Sequence, residues 1–186
     1  RFRTGEPEFS RLPDWLALGD WVMDVGANVG HYTLRMSELV GSSGRVLAFE
    51  PVPTTFELLS ANVSAANAPN VSLFNVAASS ENKLTGMSLP RFASGLTNYY
   101  MAQLTSGSGS LQVLALPLDS FMPPKSIRLV KLDVEGHELP ALQGMHAILR
   151  RDRPRLIVEG RSTEVEMFLS EFGYRFEDDP SSPNRV

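Results

Sequence analysis

The chain has 186 residues, enough for one domain with a sizeable core. Its 42% hydrophobic and 20% charged content is ordinary for a soluble globular protein. A net charge of -4 argues against a broad nucleic-acid surface, which needs clustered Lys and Arg. The absence of cysteine excludes disulfides and thiolate metal sites. No apolar run approaches the ~20 residues of a membrane span, and the opening residues carry no signal-peptide core, so the expectation is a cytoplasmic chain that does not enter a membrane.

In chain order, Glu6 to Leu18 predicts a leading helix interrupted by Pro13. Trp21–Val25 reads as a buried strand, and the segment from His31 to Val40 as a helix stopped near Gly41 and Gly44. Between them lies Asp24-Val-Gly-Ala-Asn-Val-Gly30, a glycine turn joining strand to helix, the arrangement of a nucleotide-type cofactor site. The middle glycine of a dinucleotide fingerprint, which lets backbone touch a pyrophosphate, is here Asn28. A second strand spans Arg45–Glu50. Thr54 with Glu57 suggests a capping box, and Phe56, Leu59 and Val63 recur at helical spacing. Val71–Asn75 is a third strand. Residues 79–117 break the alternation with Gly, Ser, Thr and Asn, and read as an insertion of short strands and loops with Leu111–Leu114 the clearest strand. Ile127–Asp133 is a fourth strand, followed by a helix over about 138–150. Arg155–Glu159 is a fifth. Thr163 with Glu166 suggests another capping box, and Tyr174–Glu177 a sixth strand. There is no internal repeat and no clear domain boundary, so 1–186 reads as a single α/β domain: a doubly wound, mostly parallel sheet covered on both faces.

Ligands bind such sheets outside the carboxyl ends of the strands. Those ends carry Asp24, Glu50, Asn75, Asp133 with Glu135 beyond it, and Glu159. No Lys or Arg occupies the glycine turn to receive a phosphate, and an acidic edge favours a cation. Glu50, 26 residues after Asp24, stands where a carboxylate bonds ribose hydroxyls. The pattern suits S-adenosylmethionine, a nucleoside with a sulfonium and no phosphate, better than NAD. For an alcohol acceptor, a base within reach would speed transfer by ~10²–10⁴-fold. The candidates are Asp133, Glu135 and His137. A divalent ion on Asp133 and Glu135 lacks an evident third ligand, so no metal is expected. Lys131 shares a strand face with Asp133 and predicts a structural ion pair. Glu159 predicts a pairing with Arg161 or Arg155. Tyr99 and Tyr100 could stack on an acceptor ring or build the insertion's own core.

The residues Asp24–Thr33, Phe49-Glu-Pro51, Asn75-Val-Ala77 and Lys131–Glu138, with Leu142-Gln-Gly144 and the Pro154 to Glu159 segment, resemble the FkbM-type methyltransferases from about Gly19 to Tyr174. The resemblance implies a class I methyltransferase (Rossmann-like) fold of seven strands that binds S-adenosylmethionine and O-methylates a hydroxyl on a small molecule or sugar-containing product. It implies that Asp24, Gly26, Asn28 and Gly30 surround the methionine part. Glu50, beside Pro51, would hold the ribose, and Asn75, Val76 and Ala77 would border the adenine. Asp133 would sit near the sulfonium and the acceptor. Only nine residues follow Glu177, too few for a comfortable final hairpin, which leaves open a sheet that lacks its last strand. Two other readings share the fold: an NAD(P)-dependent oxidoreductase or epimerase, and a non-catalytic cofactor-binding module.

Overall fold

The computed structural model describes residues 6–90, 102–105, 111–177 and 182–186. Tyr99 and Tyr100 lie outside the described residues. Helix α1 (Pro7–Trp15) leads into β1 (Trp21–Val25), α2 (His31–Val40), β2 (Arg45–Phe49), α3 (Pro53–Ala65) and β3 (Val71–Phe74). After a second sheet, described below, the alternation resumes. It continues with β8 (Ile127–Leu132), α4 (Glu138–Gln143), α5 (His146–Asp152), β9 (Arg155–Glu159), α6 (Thr163–Ser170) and β10 (Asn184–Arg185). The main sheet has six strands in the order β10-β9-β8-β1-β2-β3. All neighbours are parallel except β10, which runs antiparallel to β9. The chain moves outward from β1 to β3, then returns to β1's other side with β8. The switch point therefore falls between β1 and β8.

The central strands are mostly apolar because both of their faces are covered, with Asp24 of β1 and Lys131 of β8 as buried exceptions. On one face Val22, Val46, Leu129 and Ile157 pack with Leu12 and Trp15 of α1 and with Tyr32, Met36 and Val40 of α2. On the other, Met23, Val25, Leu47, Phe49, Val130 and Leu132 pack with Leu142, Ile148 and Leu149 of α4 and α5 and with Val165 and Leu169 of α6. No helix among the described residues is long and apolar enough to cross a membrane.

The residues expected to form short strands build a second sheet. Its strands are β4 (Ala77–Ala78), β5 (Lys83–Ser88), β6 (Gln103–Thr105) and β7 (Leu111–Leu116), ordered β4-β7-β5-β6. It starts at Ala77, two residues earlier than the sequence predicts. Val52, Ala77, Met87, Val113 and Ala115 form its core.

Four local expectations change. The helix over 138–150 is two helices. The break falls at Gly144 and Met145, and only glycine fits at 144, where a Cβ would lie 1.9 Å from the carbonyl oxygen of Ser79. The Asp119 carboxylate caps the second piece, accepting the N–H groups of Ala147 and Ile148 at 2.8 and 3.0 Å. Neither capping box forms as read. Pro53 opens α3 behind Val52, and Ser162, not Thr163, caps α6 by accepting Val165 N–H at 3.4 Å. Tyr174–Glu177 is irregular rather than a strand, although Glu177 N–H donates to Val186 O at 2.8 Å. The antiparallel edge is supplied by the final residues, which pair Asn184 with Glu159 and Arg185 with Val158. Among the described residues the main sheet thus has six strands where the resemblance implied seven, and its last strand is a two-residue stub.

Candidate cofactor pocket

At the carboxyl end of β1 the chain turns through Gly26 (φ +78°), Asn28 (φ +50°) and Gly30 (φ +98°). A Cβ on Gly26 would lie 1.7 Å from the backbone oxygen of Asp133, so only glycine lets β1 and the loop after β8 approach this closely. The N–H groups of Gly26 and Ala27 both donate to Phe49 O, at 3.0 and 2.9 Å, tying the turn to β2 as well. Asn28 adopts the left-handed region with its own side-chain oxygen accepting Val29 N–H at 2.8 Å.

Glu50 closes β2 and is 6% exposed. Its two carboxylate oxygens accept the N–H groups of Asn28 and Val52, both at 2.9 Å. Burial pushes its pKa up to about 7, against the pull of those two N–H groups. Asp24 is wholly buried on the α2 face. One of its oxygens accepts Thr33 Oγ1–H at 2.5 Å, and the other has no protein partner. Burial raises its pKa in spite of the charge on Lys131.

Lys131 stands beside Asp24 in the sheet register and is itself buried. Its Nζ donates to Asp133 Oδ2 at 2.7 Å and lies 5.1 Å from the centre of the Tyr32 ring. The predicted ion pair is therefore present. Burial works to neutralise Lys131, yet Asp133 and Asp24 outweigh it and hold the ammonium charged. For Asp133, burial raises the pKa, but Lys131 and a hydrogen bond from Glu159 bring the net below the ordinary carboxylate value. Glu159 shows the converse. Burial, the bond to Asp133 and the neighbouring acids push it up to about 8, so it keeps its proton and donates it to Asp133. The pairing of Glu159 with Arg161 or Arg155 is not formed. Arg155 lies instead over the Trp15 ring, 4.7 Å from its centre.

These elements enclose one pocket of about 760 Å³, open solvent at its mouth included. Gly26, Asn28, Glu50, Pro51, Val76 and Ala77 line it, as do Asp133 and Glu135. Asp24 and Gly30 support the turn from behind, without lining the pocket. Asn75 donates from its side chain to Glu50 O and Pro51 O at 2.8 and 3.1 Å, fixing the strand end instead of facing inward. His137, the N-cap of α4, has Nε2 3.1 Å from Ser79 Oγ and is also outside the lining. Burial and the charge of Lys83 lower its pKa. Glu135 holds φ +54°, a conformation L residues rarely adopt. Burial and the charges of Asp133 and Glu138 raise its pKa. Glu138 shapes this loop by accepting the N–H groups of Val134 and Gly136 at 3.3 and 3.1 Å.

Sequence reasoning did not foresee Phe49, Met87, Ala102 and Leu104 in the wall. The last three arrive from the second sheet, and no local motif marks them. Glu159 carries the signal of a strand-end carboxylate, yet its sequence neighbourhood predicts an arginine partner. It supplies the third acid missing from the sequence argument. Ligand atoms of Asp133, Glu135 and Glu159 lie within 4.8 Å of one another, a spacing that could hold a divalent cation.

Among the described residues the pocket wall carries three carboxylates and neither lysine nor arginine. A cavity walled by apolar groups and three carboxylates fits a cationic nucleoside. The fold is that of the class I methyltransferases. The model of the Methyltransferase FkbM domain matches residues 24–176, and the chain belongs to that family.

Among curated proteins, the chain is 31% identical over 129 residues to the hexuronic acid methyltransferase AglP of Haloferax volcanii, covering 68% of this chain and 50% of that one. It is 27% identical over 145 residues to methyltransferase 1 of Beauveria bassiana, covering 67% of this chain and 58% of that one. The chain thus spans about half the length of the curated relatives it matches. Solved structures share the fold. An FkbM methyltransferase from Methylobacillus flagellatus superposes with a TM-score of 0.63 at 15% identity, over 90% of this chain and 43% of that one. Aeropyrum pernix fibrillarin, determined with S-adenosyl-L-methionine bound, gives 0.57 at 15% identity, over 91% and 65%.

Proposed function

We propose that the chain is an S-adenosylmethionine-dependent methyltransferase acting on a hydroxyl of a small, sugar-like molecule. The observation that carries this reading is the pocket at the carboxyl ends of β1, β2 and β8, with three carboxylates and, among the described residues, no lysine or arginine in its wall. A dinucleotide would bring two phosphates to that wall against like charge.

Bound there, the cofactor would supply an electrophilic methyl group on a sulfonium. In this reading Gly26 and Asn28 admit the methionine part, and Asp24 holds the turn from behind through its bond to Thr33. Glu50 accepts ribose hydroxyls, while Pro51, Val76 and Ala77 border the adenine. Asp133, held ionised by Lys131, accepts a hydrogen bond from the acceptor hydroxyl and orients it. Glu135, facing the same space with a raised pKa, takes the hydroxyl proton. His137 has Ser79 within hydrogen-bond reach and serves the loop. The enzyme's share of the rate is chiefly alignment of hydroxyl oxygen, methyl carbon and sulfur. The hexuronic acid named for the Haloferax relative makes uronic acids and their glycosides the first acceptors to try.

Calorimetry with S-adenosylmethionine and S-adenosylhomocysteine on folded protein tests the cofactor. Saturable binding of both is expected, and silence from both overturns the reading. Mass spectrometry of a uronic acid and alcohol panel tests the transfer. A 14 Da gain on a hydroxyl is the expected product. Cofactor binding without any methylated product would favour a binding module on the same fold.

A further inference from the structure

A second cleft runs along the outer edge of β9, lined by Arg128, Arg153, Arg155 and Arg175. None of these four makes an ion pair among the described residues. Their contacts are with neutral groups. Arg128 Nε donates to Trp15 O at 3.3 Å, Arg153 Nη2 donates to Phe172 O at 2.7 Å, and Arg155 stacks on Trp15. Arg175 is exposed. Two further groups do not offset the charge. Arg185 also lines the cleft, where it bonds Glu166. Glu177, the only carboxylate side chain in the lining among the described residues, lies 3.8 Å from Arg11, which adds another guanidinium beside the cleft.

Four guanidinium groups around one concavity, none in an ion pair among the described residues, are unexpected in a chain of net charge -4. A concavity lined by one sign of charge attracts an ion of the other sign. The cleft shares no lining residue with the cofactor pocket. Arg128 and Arg155 stand at the amino ends of β8 and β9, whereas Asp133 and Glu159 stand at the carboxyl ends. A five-residue strand separates the two edges by about 13 Å. Guanidinium forks match phosphate oxygens two at a time, and several forks lining one cleft suit more than one phosphate. Leu156, Val158 and Leu169 give the cleft an apolar floor, with Tyr174 and Phe176 beside it.

We propose that this arginine cleft is a second binding site, one that takes the oligophosphate group of a small ligand. A free phosphate chain or the phosphates of a nucleotide could supply that group. The site does not depend on the methyl-transfer reading.

Calorimetry at low ionic strength, with tripolyphosphate and with adenosine triphosphate as probes, tests the proposal. Both should bind and weaken steeply as salt rises. Equal affinity assigns recognition to the phosphate chain, and a tighter nucleotide assigns the base to the aromatic side of the cleft. Arg175→Gln, which removes no contact seen here, should weaken tripolyphosphate roughly tenfold, and Arg153→Gln by a similar factor. Thermal melting checks that each variant is folded, and Arg128→Gln replaces Arg153→Gln should the latter not be. Three results would overturn the proposal: no tripolyphosphate binding, wild-type affinity in the folded variants, or sulfate competing equally at matched ionic strength. Binding of single-stranded RNA without a tripolyphosphate response would also reject it, in favour of a nucleic-acid surface.

Discussion

Glu50 carries two demands at once. Its carboxylate accepts two backbone N–H groups that shape the pocket, and the proposed ribose contact uses the lone pairs that remain. Replacing Glu50 with Ala should weaken S-adenosylhomocysteine roughly tenfold or more, read by calorimetry. Its titration gives a second expectation. The unfolded chain releases this proton near 4.5, while the folded protein keeps it to about 7. Between those values the folded state binds more protons, so stability is full below 4.5 and falls as pH rises through 7. Glu50's share of that fall is on the order of 3 kcal/mol. A series of urea melts from pH 4.5 to 7.5 should be flatter for Glu50→Gln than for the wild type. An equally steep series would place the titration elsewhere.

The turns between elements hold the pocket's shape. Gly26 has the backbone of Asp133 where a side chain would go, so relief by rotamer is unavailable. Gly26→Ala should cost more than about 4 kcal/mol or separate β1 from the β8 loop, with cofactor binding lost in either case. Asp119 is a cap assembled in tertiary space, 28 residues from the helix start it serves. Asp119→Ala should lose about 2 kcal/mol and melt roughly 4–8 °C lower. A change under 1 °C would show that water replaces the cap.

Across the whole molecule, the two ends of the described chain are clasped. Ser182 Oγ donates to buried Glu8 at 2.7 Å, and the Asn184 side chain donates to the same carboxylate. Tyr32 joins them, donating to Glu6 at 2.5 Å, with Lys131 over its ring. Glu8→Ala strands these donors and should cost about 2 kcal/mol. Limited proteolysis should then cut the C-terminal residues faster than in the wild type, and an unchanged digestion pattern would count against the clasp. The second sheet also acts at this scale. Met87 and Leu104 line the same cavity as Glu50, so exchanging the 79–117 segment should alter cofactor affinity together with acceptor choice.

The sequence by itself determined the alternation of strands and helices, the strand-end carboxylates and the family. Those features are local: apolar runs, helical spacing, and a glycine turn whose residue types follow from the backbone it must adopt. Lys131 and Asp133 were legible for the same reason, being two residues apart on one strand face. Only the tertiary structure decided the rest. Glu159 meets Asp133 because β8 and β9 are neighbours in the sheet, though distant in sequence. Met87 and Leu104 reach the pocket because a second sheet folds over it. The arginine cleft collects side chains from the starts of β8 and β9 and from the C-terminal residues, and no single segment carries its charge. Local patterning sets what each element is. Pairing and packing set which side chains meet, and with them the chemistry a site can hold.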